Sequence, residues 1–323
     1  MAGTLTMAKK EFLDIIGEKK FILIFATLLI VVLVSTFQGG LTYSSSQSSV
    51  GITPGQGGNF TRQPGEFVIG GAQSLSLALS SMDTNFSLVG GVLAIAISFD
   101  TINSERQRGS LSTLLSYPIY RDSIIYGKYL GGLMIVSLVS VITFLSGVVV
   151  FVSVTGLAMT FDTVIRLLLF FGVSFIYMAF FLAVGLLLSI LLKQPSTSLL
   201  ASMIVWLASI QLIPNLGYAI GQILFPIRMS FTNGRPNFTM QTGFESLRTI
   251  IAGLSPSQTY ENIVNTFLTT STMQFSSGST PTVVSINIQQ ALMQSLPSLI
   301  YFVGLLIAIF AVAYVVFTRQ EIR

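Results

Sequence analysis

Residues 104–128 read SERQRGSLSTLLSYPIYRDSIIYGK. The stretch is charged, broken by Gly109 and ended by Pro118, and it lies between two long apolar runs. Glu105 falls in a first helical turn behind Asn103 or Ser104, either of which can cap a helix. Leu111, Leu114 and Leu115 follow at i, i+3 and i+4, which makes an apolar strip on one face. Pro118 stops the helix, and Asp122 is placed to cap the next. The expected product is a short helix parallel to a membrane, with an apolar face that a soluble partner could grip. The bland alternative is an ordinary inside loop whose basic residues only set topology.

The flanking runs decide the fold class. The chain has 323 residues, 52% hydrophobic and 9% charged, whereas a soluble domain carries about 25% charged residues. It reads as an all-α integral membrane protein. A span needs roughly 20 mostly apolar residues, and six are legible: 21–37, 86–99, 124–154, 164–192, 199–224 and 296–317. The second is short but extends backward through 75–79. The fifth contains Pro214, where a kink or break is expected.

Charge fixes the expected orientation. Lys9, Lys10, Lys19, Lys20, Arg106, Arg108, Arg121, Lys128, Lys193, Arg319 and Arg323 fall on one side under six spans. Arg62, Arg166, Arg228, Arg235 and Arg248 fall on the other. The positive-inside rule then puts both termini in the cytoplasm, with the chain in the cell membrane. The net charge of +4 is dispersed over span ends. That favours a topology signal over a nucleic-acid surface, so no nucleic acid is expected as a partner.

Residues 1–20 place Phe12, Ile15 and Ile16 on one face of a helix. The expectation is an amphipathic helix in the cytoplasmic interface. A plain charged stop explains the lysines but not the spacing. Two long outer loops follow from the span limits, 38–83 and 225–296. Both carry glycosylation-type sequons, at Asn59 and Asn237. Within the second loop, Tyr260, Ile263, Val264 and Phe267 recur at helical spacing, which predicts a short helix along the outer membrane face.

Neither Cys nor His occurs. Disulfides, thiol nucleophiles, the usual zinc sites and imidazole bases are therefore excluded. No cofactor or metal site is expected in the chain, and an intramembrane enzyme is disfavoured by the scarcity of ionisable residues in the spans. An apolar or amphipathic substrate suits the span composition better than a sugar or an ion. A membrane-anchored assembly protein presenting its outer loops to an extracytoplasmic partner is the competing reading.

The run Glu105-Arg106-x-x-Gly109-Ser110-Leu111-x-x-Leu114-Leu115-Ser116-x-Pro118-x-x-Arg121, then Gly127-Lys128, resembles the signature of ABC-2 type transporter permeases. There it reads roughly E-R-E-x-G-T-L-x-x-L-L-S-x-P-x-x-R, then G-K. Position 107 here is Gln, and Ser110 stands for Thr. The six spans and the pre-span helix are similar too, and the resemblance covers nearly the whole chain as one transmembrane domain, 1–323. It implies that 101–123 is a coupling segment docking into a separate ATP-binding cassette ATPase. Leu111, Leu114 and Leu115 would anchor it, and Glu105, Arg106 and Arg121 would make charged contacts to that ATPase or to neighbouring helices. Gly109 would permit a tight bend, while Pro118 and Gly127 would set the turn into the third span. For Arg121 and Lys128 a contact with phospholipid headgroups is an equal alternative. No Walker A pattern occurs, so ATP and Mg belong to the partner. The resemblance further implies a second permease copy, as homodimer or close heterodimer, and export.

Overall fold

A computed structural model describes residues 2–48, 75–107, 109, 121–156, 159–226, 228–232, 235–239, 242–274 and 282–319. The frame is helical. Helix α1 is Ala2–Gly17, α2 is Lys19–Ser48, α3 is Leu75–Ser98, and α4 is the short Asn103–Gln107. The long α5, Arg121–Thr155, and α6, Phe161–Leu191, follow. Next come α7, Pro195–Leu207, a π-helical turn, Ala208–Leu212, and α8, Ile213–Leu224. The final α11 is Ile288–Arg319. Six stretches are long and apolar enough to cross a membrane: Lys19–Ser44, Met82–Gln107, Asp122–Thr155, Phe161–Leu191, Pro195–Leu224 and Ile288–Arg319.

These match the six expected runs, and the differences have local causes. The second span extends backward on α3, because Leu79, Met82 and Phe86 are fully buried and hold that end in the core. The sixth starts at Ile288, two turns early, and runs through Pro297. A proline costs a helix one donor, but Ala291 and Ser295 are buried on the same side and keep the early turns packed. At the fifth, the interruption falls just before Pro214. Proline cannot donate, and the register slips there so that the Ile213 amide bonds to the Ala208 carbonyl, five residues back.

Between the fifth and sixth spans, the described residues carry secondary structure of their own. They form two antiparallel hairpins, β1 (Arg228–Thr232) with β2 (Arg235–Thr239) and β3 (Ser271–Gln274) with β4 (Thr282–Ser285). Between them lie α9, Thr242–Gly253, and α10, Pro256–Leu268. The all-α frame therefore carries these short strands at one end.

Helix α10 corrects one expectation. Tyr260, Ile263, Val264 and Phe267 do share a face, but all four are 0–1% exposed. They pack into the main core with α3, α6 and α11, not onto a lipid surface. Ser255 caps the helix by accepting from the Gln258 amide at 3.2 Å, and its hydroxyl donates to the Ser209 carbonyl of the π turn. Arg166 of α6 secures the other end of α10. It is 1% exposed. Its guanidinium donates to the carbonyls of Phe267 at 2.7 Å, Thr269 at 3.0 Å and Ile286 at 2.6 Å, and pairs with Asp162 at 2.7 Å.

Candidate functional site: the Lys128 junction

At the opposite end, α1, α4 and the start of α5 meet, together with Ala313 and Phe317 near the end of α11. This is the side that carries the N-terminal helix and the close of the last span. Two glycines one helical turn apart let α1 lie against α5. A methyl group on Gly127 would stand 2.7 Å from Met7 Cβ and 3.2 Å from the Thr4 carbonyl oxygen. On Gly131 it would stand 2.7 Å from Glu11 Cβ and 3.0 Å from the Ala8 carbonyl oxygen. Ala8, small and fully buried, completes the flat contact. The pattern GKYLG at 127–131 is the small-x-x-x-small spacing that brings helix backbones together. Gly127 thus lies inside α5 and accommodates α1, and it sets no turn into the span.

Between these glycines stands Lys128, whose side chain is 1% exposed. Its Nζ pairs with Glu105 of α4 at 2.9 Å and Glu11 of α1 at 3.3 Å, and donates to the Thr101 carbonyl at 3.0 Å. A buried ammonium needs such partners, because an isolated charge is too costly to desolvate. The headgroup alternative for Lys128 is overturned by this burial. One lysine is shared by two carboxylates from different helices. Burial raises the Glu11 carboxyl above its ordinary value, with Lys128 opposing the shift and Glu105 adding to it.

Helix α4 is fixed from the side as well. Ser189 of α6 accepts from the backbone amides of Ile102 and Asn103, at 3.1 and 3.3 Å. The expected cap was local, at Asn103 or Ser104, but it comes from a span 86–87 positions away. Ser104 instead donates back to the Asp100 carbonyl at 2.6 Å. Gly109 has φ +71°, the left-handed region where glycine is at home, and its amide reaches the Arg106 carbonyl at 3.3 Å.

Among the sequence-predicted residues, the structure brings Glu105 and Lys128 into direct contact. Arg106 lies half-buried on α4 and Gly109 closes its end. Arg121 opens α5, while Leu111, Leu114, Leu115 and Pro118 lie outside the described residues. Asp122 is in the first turn of α5, where the helix dipole favours it, one residue inside the helix start rather than at the cap. Sequence reasoning missed Glu11 and Gly131, and it gave Gly127 a different role. It also missed Asp83, placed in an outer loop but 3% exposed on α3 and hydrogen-bonded to Tyr260.

Beside the junction lies a cavity of about 380 Å³ between α1, α2, α3 and α4. Its wall is apolar: Phe21, Ile24, Leu93, Ala96, Ile97 and Phe99. Its polar end holds Glu11, Glu105 and Lys128, and its rim holds Lys10, Asp14, Glu18, Lys20, Asp100 and Ser104.

The family model described as ABC-2 family transporter protein matches residues 5–322. No curated protein matches the chain.

Proposed function

This chain belongs to the ABC-2 transporter family, and from that premise we propose that it is the permease subunit of an ATP-binding cassette exporter. A separate ATPase chain binds ATP and Mg, and its closure is passed through residues 101–123 into the spans. The substrate class is apolar or amphipathic. Both termini are cytoplasmic, and the working unit pairs this chain with a second permease copy.

The observation that carries the reading is the Lys128 junction. Helix α4 leads directly into the segment bearing Leu111, Leu114 and Leu115. It is tied by a 2.9 Å ion pair to α5, the third span, and through the same ammonium to α1. Force applied to that segment reaches a span through buried charged contacts, which are too costly to break singly. A surface loop serving only topology has no need of a desolvated ion pair.

The test is a double variant, Leu114→Asp with Leu115→Asp. Unpaired charges in an apolar contact cost several kcal/mol. The variant should reach the membrane and fail to co-purify with its ATPase, or co-purify without substrate-stimulated hydrolysis. Thr249→Asp, on exposed α9, should leave assembly intact. Normal assembly and transport in the double variant would reduce the segment to a topology loop. Reporters fused at Gly57 and Arg323 should report opposite sides of the membrane, and the same side for both would overturn the orientation.

The second reading, an assembly protein displaying its outer loops, is favoured by the two hairpins and two helices among the described residues there. Its inner helix, however, spends its apolar face inside the bundle. Deleting β1 and β2 separates the two readings: it should spare ATPase stimulation in a transporter and abolish partner capture in an assembly protein.

A further inference from the structure

After the fifth span the chain turns back along it. Helix α9 packs on α8 in the opposite direction. A methyl group on Gly221 would stand 2.9 Å from the Phe244 ring, and one on Gly217 would stand 3.2 Å from Ile251 Cβ and 3.3 Å from the Arg248 carbonyl oxygen. These glycines repeat the small-x-x-x-small spacing that brings helix backbones together. Where α9 ends, Ser255 and Ser257 close on Ser209 of the π turn. The Ser257 amide donates to the Ser209 hydroxyl at 3.1 Å, and the hydroxyls of Ser209 and Ser257 lie 2.8 Å apart. Helix α10 then runs back beside α6, until the Phe267 carbonyl meets Arg166 near the start of the fourth span. Helices α9 and α10 are therefore a re-entrant helical hairpin, with its tip seated on the π turn.

Between this hairpin and the fifth span lies a groove of about 340 Å³, within the usual range for small-molecule sites, about 300–1,000 Å³. All three helices give it polar groups. Asn215 and Tyr218 come from α8, Arg248 and Thr249 from α9, and Gln258 and Asn262 from α10. Ala252 is the smallest residue of the lining. The groups offer donors and acceptors side by side. The Gln258 amide nitrogen donates to Glu261 at 3.3 Å and to the Asn262 side-chain oxygen at 3.4 Å, which leaves the Gln258 oxygen to accept and the Asn262 nitrogen to donate. Asn215 is exposed and makes no hydrogen bond among the described residues, so it offers both. Arg248 is half-exposed and shares its charge with Glu245 at 3.8 Å. The Tyr218 ring is held near-perpendicular to Phe244, with centroids 5.7 Å apart and planes at 83°, so a fixed aromatic surface stands at the groove.

Depth decides what such a groove can hold. The fifth span has 30 residues and is about 45 Å long, against a hydrocarbon core about 30 Å thick. With the span centred, Asn215 stands about 8 Å from the midplane, in the leaflet opposite the termini. An exposed amide turned to acyl chains at that level is costly unless something hydrogen-bonds to it. A phosphate head calls only for donors and an ammonium head only for acceptors. A hydroxyl donates and accepts at once, as these amides do. Below the groove the surface turns apolar: Leu212 on the span and Leu254 at the hairpin tip are both exposed. A guest with a hydroxylated head and an apolar chain meets both surfaces.

We propose that the groove between the fifth span and the re-entrant hairpin binds the uncharged, polyhydroxylated head of an amphiphile, a glycosyl head above all, from the leaflet opposite the termini. The head hydrogen-bonds to Asn215, Gln258 and Asn262 beside the Tyr218 ring, and the chain runs past Leu212 and Leu254 toward the midplane. The site is distinct from the Lys128 junction. It rests on the six-span frame and goes beyond the exporter reading, because binding needs no ATPase.

The experiment uses the full chain, purified in a sugar-free polyoxyethylene detergent and titrated with one probe at a time, with adducts counted by native mass spectrometry. The probes are monoglucosyl diacylglycerol, and diacylglycerol, phosphatidylcholine and phosphatidylglycerol with the same chains; free glucose is the soluble arm. The glucosyl lipid should bind about tenfold more tightly than the other three lipids, and glucose alone should give no adduct. Asn215→Leu removes one exposed amide and should weaken the glucosyl lipid by roughly threefold to tenfold, as loss of one hydrogen bond does. Ala252→Phe fills the groove and should abolish the preference. Gln211→Leu, an exposed amide on the same span outside the groove, is the control and should change nothing. If Ala252→Phe does not fold, Asn262→Leu replaces it, with a loss like that of Asn215→Leu. Equal binding of glucosyl lipid and phosphatidylcholine, tighter binding of phosphatidylglycerol, glucose binding as tightly as the lipid, or equal losses in Gln211→Leu and Asn215→Leu would each overturn the assignment. Those outcomes leave the ATPase co-purification result standing, so failure here is distinguishable from failure of the exporter reading.

Discussion

Replacing Gly131 with alanine adds one methyl group where α1 crosses α5. The new carbon would stand 2.7 Å from Glu11 Cβ and 3.0 Å from the Ala8 carbonyl oxygen. Carbon atoms in contact prefer about 3.5–4.0 Å, so α1 must withdraw by roughly 1 Å. The Ala8 oxygen belongs to backbone and cannot swing aside, so the whole helix moves. Glu11 moves with it. Its oxygens now lie 3.3 and 3.4 Å from Lys128 Nζ; another ångström puts both beyond 4 Å, the limit of an ion-pair contact. Overpacking of this kind costs about 1–3 kcal/mol, to which the weakened pair adds. Alanine also favours a helix over glycine by roughly 1 kcal/mol, which works in the opposite direction. The control is Gly304→Ala on α11, where nothing lies within 4 Å of the added carbon, so only the propensity gain applies. Melting of the two variants in the same detergent, followed by tryptophan fluorescence or size-exclusion, should place Gly131→Ala below Gly304→Ala by a difference corresponding to about 1–3 kcal/mol. Equal melting temperatures, or a higher one for Gly131→Ala, would refute the close approach of α1 to α5.

Lys128→Met should be more severe, costing about 3–5 kcal/mol by removing the buried ammonium that Glu11 and Glu105 share; the triple variant with Glu11→Gln and Glu105→Gln should recover much of the monodisperse yield, and no recovery would count against the ion network. Arg166→Lys keeps the charge but loses the fork that reaches three carbonyls, so limited proteolysis should cut faster within 269–287, whereas Asp162→Ala, which removes a half-exposed partner, should change cleavage little. The Glu11 carboxyl titrates above its ordinary 4.5 because burial disfavours the charged form. The folded chain therefore holds that proton more tightly than the unfolded chain. Its contribution to stability is full below about pH 4.5 and is lost as pH rises through the raised value. The melting temperature of wild type minus that of Glu11→Gln should accordingly be largest in acid and fall toward neutrality, and a difference that grows with pH would contradict the sign.

The spans were legible because each is a long apolar run, a signal carried by consecutive residues. Pro214 likewise announced a break, although nothing in the sequence distinguished a π turn from a kink. The junction was half legible. Glu105 and Lys128 stood out as charges at the edges of apolar runs, but Glu11 looked like any polar position on an amphipathic helix. Its burial depends on which face of α1 meets α5, and that is decided by Gly127, read as a turn former, and by Gly131, which no local pattern singled out. The α10 face shows the same limit. Helical spacing of Tyr260, Ile263, Val264 and Phe267 states that a face is apolar, and cannot state whether lipid or protein covers it. The Ser189 cap of α4 is a contact across more than 80 positions, for which no local pattern exists.

The Arg166 contacts impose an order of events during synthesis. The guanidinium belongs to the fourth span, yet its carbonyl partners at Phe267 and Ile286 come 101 and 120 positions later. At a translation rate of about 5–20 residues per second, the arginine waits roughly 5–25 s for the last of them. Until Phe267 is made, Asp162 and water are its available partners, and the fourth span cannot close against α10. The newborn chain thus passes through a state with four or five spans inserted and its far end open. The segment before α11 supplies the last contact, so truncation between residues 270 and 285 leaves Arg166 without the Ile286 carbonyl, and truncation before Phe267 leaves it only Asp162.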